Sequence, residues 1–163
     1  MATSPVSYEI ERKFLIEMPP ADWLSSLRAI EIEQIYLCAE EGEERRIRSR
    51  TENGVTTYVT TVKRTVTALR REEIEHEITE NEYRQLQGEA DPCRRPLHKT
   101  RYCFPCGGHV AEIDVYPFLP DSAILEMELT CEDESVSLPP PLRILREVTD
   151  DPTYKNAALA ARM

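Results

Sequence analysis

Glycine is scarce, with five residues in a chain of 163. That excludes a P-loop or similar glycine-rich cradle, in which bare backbone must approach a phosphate closely. No apolar run approaches the roughly 20 residues needed to cross a bilayer. The opening MATSPVSYEIERKF lacks the basic start and apolar stretch of a secretory leader. Positive charge is also in deficit: 20 basic residues against 30 acidic ones leave a net charge of −10. This argues against general nucleic-acid binding and against an anionic membrane surface. The three histidines, His76, His98 and His109, share no motif, and no Ser-His-Asp constellation is visible. Five cysteines, an odd number without a leader, suit a disulfide framework badly and point to a reducing, cytoplasmic setting. Lysine is rare too. Of the 20 basic residues only Lys13, Lys63, Lys99 and Lys155 are not arginine.

What is present is enough for one globular domain spanning residues 1–163, with 40% hydrophobic and 31% charged residues. Helix signals are few. Ala21–Arg28, after Pro19-Pro20, reads as a short helix burying Trp23, Leu24 and Leu27. Thr79 with Glu82 forms a capping box that opens a helix over Glu80–Gln87, with Gly88 as its C-terminal cap. The alanine-rich tail from Pro152 onward reads as a terminal helix.

The remainder alternates with period two, the signature of strands, over 8–16, 34–38, 45–50, 58–66, 70–78, 98–104, 110–116 and 124–130. Asn53-Gly54 and Gly107-Gly108 mark hairpin turns between them. The polar face of these strands is unusual. It carries charges of both signs in tight E-x-E, R-x-R and K-x-R spacing rather than the mixed Ser, Thr and Gln of a solvated face. A sandwich with solvated charged faces is the plain alternative. Two short helices and a tail, however, cannot cover one side of a flat eight-stranded sheet. Closure into a barrel removes the edges and leaves an interior wide enough for one small ligand. The expected class is therefore mainly β (α+β), an eight-stranded antiparallel barrel with the charged face inward. Such a lumen must be wet and must hold something that uses both signs. A polyanion gripped by Arg and Lys, together with a hard divalent cation on carboxylates, does so.

Laid out in order, the motifs are Glu9-Ile-Glu11-Arg-Lys13, Arg46-Ile-Arg48, Thr61-Val-Lys63 and Arg71-Glu-Glu73-Ile-Glu75. They continue with Lys99-Thr-Arg101, Glu112-Ile-Asp114, Glu126-Met-Glu128 and Tyr154-Lys155-Asn156. In this order they resemble the CYTH superfamily, the triphosphate tunnel metalloenzymes, and especially its small single-domain bacterial inorganic triphosphatases. All four lysines fall inside the motifs, which accounts for the Lys/Arg imbalance. The resemblance implies a metal-dependent hydrolase acting on tripolyphosphate. It assigns Glu9, Glu11 and Glu128, with Glu126 and Asp114, to a divalent metal, Mg2+ or Mn2+. It assigns Lys13, Tyr36, Arg46, Arg48, Lys63, Arg71, Lys99 and Arg101 to substrate, with Lys155 reaching in from a C-terminal plug helix. Glu9, Glu11, Lys13, Glu75 and Glu128 carry the catalytic expectation, and Glu73 and Glu75 the support of basic side chains. A homodimer is compatible with the resemblance, although no sequence feature signals one.

Three other readings compete. A class IV adenylate cyclase needs a base-binding wall, and thiamine triphosphatase an aromatic platform, for which Trp23 is the only tryptophan. A polyphosphate-binding module without turnover needs no intact catalytic set. Cys103-Phe-Pro-Cys106 with His109 has no second C-x-x-C and reads as a plain hairpin rather than a zinc site. The acidic run Glu40–Glu44 reads as a solvated loop, and Pro139–Pro141 as a rigid connection.

Overall fold

A computed structural model describes residues 6–67, 69–131, 133–135 and 137–162, with the side chains of 6–9, 157, 161 and 162 outside that description. The strands are β1 (Val6–Glu17), β2 (Arg28–Leu37), β3 (Glu43–Glu52), β4 (Val55–Thr65), β5 (Arg70–Ile78), β6 (Leu97–Cys106), β7 (His109–Val115), β8 (Ser122–Glu128) and β9 (Ile144–Glu147). The helices are α1 (Ala21–Ser25), α2 (Glu80–Leu86) and α3 (Asn156–Arg162). Among the described residues no helix is long and apolar enough to cross a membrane.

The sheet runs β5-β4-β3-β2-β6-β7-β8-β1-β9, and a further pairing of β1 with β5 closes it into a barrel. Every pairing is antiparallel. The first half of β1 lies against β5 (Val6↔Ile74 to Ile10↔Arg70) and the second half against β8 (Glu11↔Glu128 to Glu17↔Ser122). Closure with eight strands matches the expectation from the charge pattern. The turns explain the tight hairpins. Asn53 and Gly54 sit at φ 52° and 77° between the paired Glu52 and Val55. Two consecutive left-handed residues match the twist of the flanking strands, and Asn-Gly is the pair that adopts them at least cost.

Many of the apolar strand residues face outward and are covered from outside. Phe14, Ile16, Ala111, Ile113, Leu125 and Met127, from β1, β7 and β8, form one cluster with Leu24 of α1 and Phe104 of β6. The Trp23 ring packs edge-on against Phe104, with centroids 5.4 Å apart. A second cluster joins Ile35, Leu37 and Ile47 to Tyr83 of α2. A third lies at one end of the barrel, where Leu159 and Ala160 of α3 meet Tyr36, Leu97, Tyr116 and Ile124. The capping box of α2 forms as expected. Glu82 N donates to Thr79 Oγ1 at 3.1 Å and Thr79 N donates to Glu82 Oε2 at 3.2 Å.

Several boundaries differ from the sequence reading. Helix α1 stops at Ser25 rather than Arg28, because the Ser25 and Ser26 hydroxyls turn back onto Ala21 O at 2.8 Å and Trp23 O at 2.6 Å. The freed residues begin β2, whose Ile30, Ile32, Gln34 and Tyr36 are all buried, so that strand starts at Arg28 and not Gln34. Gly88 is not a helix cap. It lies in a 3-10 turn over Gln87–Glu89 that continues from α2, and its φ is not positive. The tail divides into a 3-10 turn, Pro152–Tyr154, and α3, with Lys155 extended between them (φ −71°, ψ 144°). Strand β9 is not legible in the sequence at all. Its four residues are exposed and lack alternation, and it forms only by pairing with Phe14–Ile16 of β1.

Candidate active site: a charged tunnel

Period-two alternation around a closed barrel sends every second residue of each strand into the lumen. The resulting cavity, about 230 Å³, is lined by Glu11 and Lys13 of β1, Tyr36 of β2, and Glu44, Arg46, Arg48 and Arg50 of β3. Lys63 of β4, Arg71, Glu73 and Glu75 of β5, Arg101, Glu112, Glu126, Glu128 and the pair Lys155-Asn156 complete the wall. Eight of these side chains are cationic (Lys13, Arg46, Arg48, Arg50, Lys63, Arg71, Arg101, Lys155), and seven are carboxylates (Glu11, Glu44, Glu73, Glu75, Glu112, Glu126, Glu128). The described wall is thus close to neutral inside a chain of net charge −10.

The charges are cross-braced. Lys13 Nζ lies 3.1 Å from Glu126, and its ammonium also donates to Tyr154 O at 3.4 Å. Lys63 lies 3.6 Å from Glu73. Arg48 donates to Glu75 Oε2 at 2.7 Å, and Thr61 Oγ1 donates to the same oxygen at 2.8 Å. Arg101 reaches Glu112 at 2.7 Å. Burial lowers the Arg48 guanidinium to about 10, and Arg46 beside it pushes the same way. Burial also raises the Glu112 carboxyl in spite of Arg101. For Glu126 burial would raise the carboxyl, but Lys13, Arg101 and Lys99 together hold it at about 2. Arg48 and Arg50 each keep a buried Nε with no hydrogen-bond partner among the described residues. Those N–H donors are unspent, and a phosphate oxygen is the acceptor they suit.

Two of the expected residues stand elsewhere. Lys99 and Asp114 do not line the cavity but lie beneath its wall, both side chains fully buried. Asp114 Oδ2 accepts from Lys99 Nζ at 2.8 Å and from Arg101 at 3.0 Å, while Oδ1 accepts from Arg101 Nε at 2.8 Å. Burial opposes ionisation of Asp114, yet Arg101 and Lys99 hold its carboxyl well below the usual range. Burial lowers Lys99 to about 7 despite Asp114. With both oxygens taken by cations, Asp114 braces Arg101 from behind. The two residues given to metal and to substrate by the sequence thus stand next to the wall, paired with each other and with Arg101.

The sequence reading places Glu44 in a solvated loop and gives Arg50 and Asn156 no role, yet all three line the cavity. A signal exists for the first two, since Glu44, Arg46, Arg48 and Arg50 form one unbroken row at spacing two. Asn156 is held by the Tyr116 hydroxyl, which donates to its Oδ1. That contact fixes the start of α3 against the barrel and brings Lys155 to the cavity. Burial lowers the Lys155 ammonium, and Arg71 adds to the effect.

For a divalent cation the relevant carboxylates are Glu11 and Glu128, paired across β1 and β8 and both on the cavity wall. Glu9 precedes Glu11 by two positions, its backbone opposite Arg71 of β5; its side chain lies outside the described residues. Among the described residues no three His, Cys, Asp or Glu side chains are gathered as a metal cluster. The donor chemistry nevertheless fits a hard cation. Every candidate is a carboxylate, with no thiol or imidazole among the described lining residues.

Comparison with known proteins agrees with this geometry. The family model for the CYTH domain matches residues 7–157. An inorganic triphosphatase of Nitrosomonas europaea is 34% identical over 154 residues, covering 93% of this chain and 96% of its own. An inorganic triphosphatase of Acetivibrio thermocellus is 32% identical over 154 residues, covering 93% and 92%. The crystal structure of an inorganic triphosphatase superposes with a TM-score of 0.61 at 31% identity, covering 100% of this chain and 97% of that one.

Proposed function

The chain belongs to the CYTH family, and from that premise we propose that it is an inorganic triphosphatase, hydrolysing tripolyphosphate to pyrophosphate and phosphate inside its barrel. The observation that carries this reading is the wall of the cavity. Fifteen of its seventeen described residues are charged, and the other two are Tyr36 and Asn156. Such a wall suits a substrate that is charged along its whole length. Apart from Tyr36, whose ring is almost wholly buried, its described residues offer no apolar face for a nucleobase and no stacking platform for a thiazolium or pyrimidine ring.

The lining has no Ser, Thr, Cys or His among the described residues, and four of its carboxylates, Glu73, Glu75, Glu112 and Glu126, are engaged in ion pairs with Lys or Arg, which favours direct hydrolysis over a covalent phosphoryl intermediate. Water is the attacking group. Its oxygen bonds to a terminal phosphorus, the bridging P–O bond breaks, and the pyrophosphate oxygen leaves with the electron pair. Lys13, Arg46, Arg48, Lys63, Arg71, Arg101 and Lys155 hold the phosphoryl oxygens in line and neutralise charge on the leaving group. Their ion pairs with Glu73, Glu75, Glu112 and Glu126 keep these cations from collapsing onto one another before substrate enters. Because the described wall is nearly neutral, it cannot by itself balance a triphosphate. Glu9, Glu11 and Glu128 would hold Mg2+ or Mn2+, which supplies the remaining positive charge and polarises the phosphate. Five unpaired cysteines accord with a reducing, cytoplasmic setting.

The test is phosphate release from tripolyphosphate, ATP and thiamine triphosphate in parallel, each with Mg2+, Mn2+ or EDTA. Rapid, EDTA-sensitive release from tripolyphosphate alone is expected. Preference for either organic triphosphate would move the assignment to that substrate, and tight binding without release would make the protein a polyphosphate-binding module.

A further inference from the structure

Tyr36 lines the cavity although its ring is almost wholly buried. A phenolic oxygen has one proton to donate and two lone pairs with which to accept. Gln34, on the same face of β2, donates through Nε2 to that oxygen at 2.5 Å. Arg46, paired with Tyr36 across β2 and β3, lines the cavity beside it. Neither the Gln34 Nε2 nor a guanidinium nitrogen can accept a proton, so one lone pair is engaged and the hydroxyl proton is turned away from both.

Gln34 itself is fully buried, and its Oε1 has no hydrogen-bond partner among the described residues. An unpaired acceptor in the interior is unfavourable, and an apolar side chain of the same size would avoid it. The amide is therefore not there for the core's sake. What it contributes is a donor aimed at Tyr36.

Resting on the reading above, we propose that Gln34 is a positioning residue for the substrate. By filling a lone pair of the Tyr36 hydroxyl, it commits that group to donate its proton to a phosphate oxygen of the bound polyphosphate. Phosphate oxygens only accept. A hydroxyl free to donate to its neighbour instead would turn a lone pair towards the anion and weaken the grip. Burial, reinforced by Glu44, raises the Tyr36 hydroxyl above its ordinary value, so the proton stays on the oxygen at neutral pH.

The decisive comparison is between Gln34→Glu, which keeps the shape but offers an acceptor, and Tyr36→Phe, which removes the hydroxyl. KM and kcat for tripolyphosphate are measured for each, for the double variant and for Gln34→Met, with thermal midpoints alongside. Tyr36→Phe should raise KM about tenfold, as the loss of one hydrogen bond to a charged acceptor does. Gln34→Glu should show the same rise and should add nothing when combined with Tyr36→Phe. Gln34→Met should retain the wild-type midpoint and lose less than Gln34→Glu. Full additivity of Gln34→Glu with Tyr36→Phe would mean simple charge repulsion and would overturn the proposal, as would a wild-type KM in Gln34→Glu. If Gln34→Glu does not fold, Gln34→Met carries the test, because its loss must vanish in the Tyr36→Phe background. A wild-type protein that does not turn over tripolyphosphate fails the parent reading alone. Calorimetric binding of tripolyphosphate by the same variants then decides this one by the same pattern of additivity.

Discussion

Glu11 and Glu128 face each other as paired residues across β1 and β8, and both line the cavity. Side chains opposite one another on adjacent strands lie within reach of a single ion, which offsets the mutual repulsion of two carboxylates so placed. Glu11→Gln and Glu128→Gln each keep the shape and remove one anionic ligand. Each should lower kcat by at least about a hundredfold, the scale of losing one charged group from a metal site, with the circular dichroism spectrum unchanged. Both variants should also weaken Mn2+ binding measured by calorimetry, and full activity in the pair would remove these residues from the metal site.

Lys155 sits in an extended link between the 3-10 turn and α3, and reaches the cavity because Asn156 is pinned by Tyr116. Lys155→Ala should raise KM for tripolyphosphate about tenfold, the usual effect of losing one charge-assisted contact. Metal affinity should be nearly unchanged. An unaltered KM would mean that the tail does not touch substrate.

Asp114 accepts from both Lys99 and Arg101 while fully buried. Asp114→Asn removes the counter-charge that Lys99 and Arg101 share and leaves Arg101 with Glu112 alone, so it should destabilise by about 3–5 kcal/mol in urea unfolding. The pH dependence follows from the depressed carboxyl. Below the ordinary aspartate value of about 3.9, the unfolded chain takes up a proton that the folded one refuses. This contribution is therefore fully present above that pH and lost as pH falls through the folded value. Acid unfolding should be less steep in Asp114→Asn than in the wild type, and equal slopes would show that Asp114 is not the titrating group.

Thr79 and Glu82 close the capping box of α2, well away from the cavity wall. Thr79→Ala should cost about 1 kcal/mol of stability, with kcat and KM unchanged. The variant separates loss of fold from loss of chemistry in the experiments above.

Much of the site was legible because a charged lumen imposes the same alternation as an apolar core, with the polarity inverted. Glu11, Lys13, Arg46, Arg48, Lys63 and Glu128 could be placed on one face from spacing alone, and all line the cavity. Depth was not legible. Lys99 shares the inward row of β6 with Arg101, yet it lies beneath the wall near Tyr116, with Nζ 5.9 Å from the ring centroid. Which inward residues see the lumen depends on how far Tyr116, Ile124 and Leu159 fill that end of the barrel, and strand periodicity carries no such information. Strand β9 and the early start of β2 escaped for a related reason. Tertiary pairing, not local preference, decides both.

Strand β1 divides its pairing between β5 and β8, and the division falls between Ile10 and Glu11. The carboxylates proposed to hold the cation are thus distributed along the zip that turns a sheet into a tube, joining the first strand to partners far along the chain. Contacts of such long sequence separation are slow to form. Until they do, Glu11 has no Glu128 opposite it and there is no ligand pair. An unzipped chain is chemically mute, and phosphate release is at the same time a report that the barrel has closed.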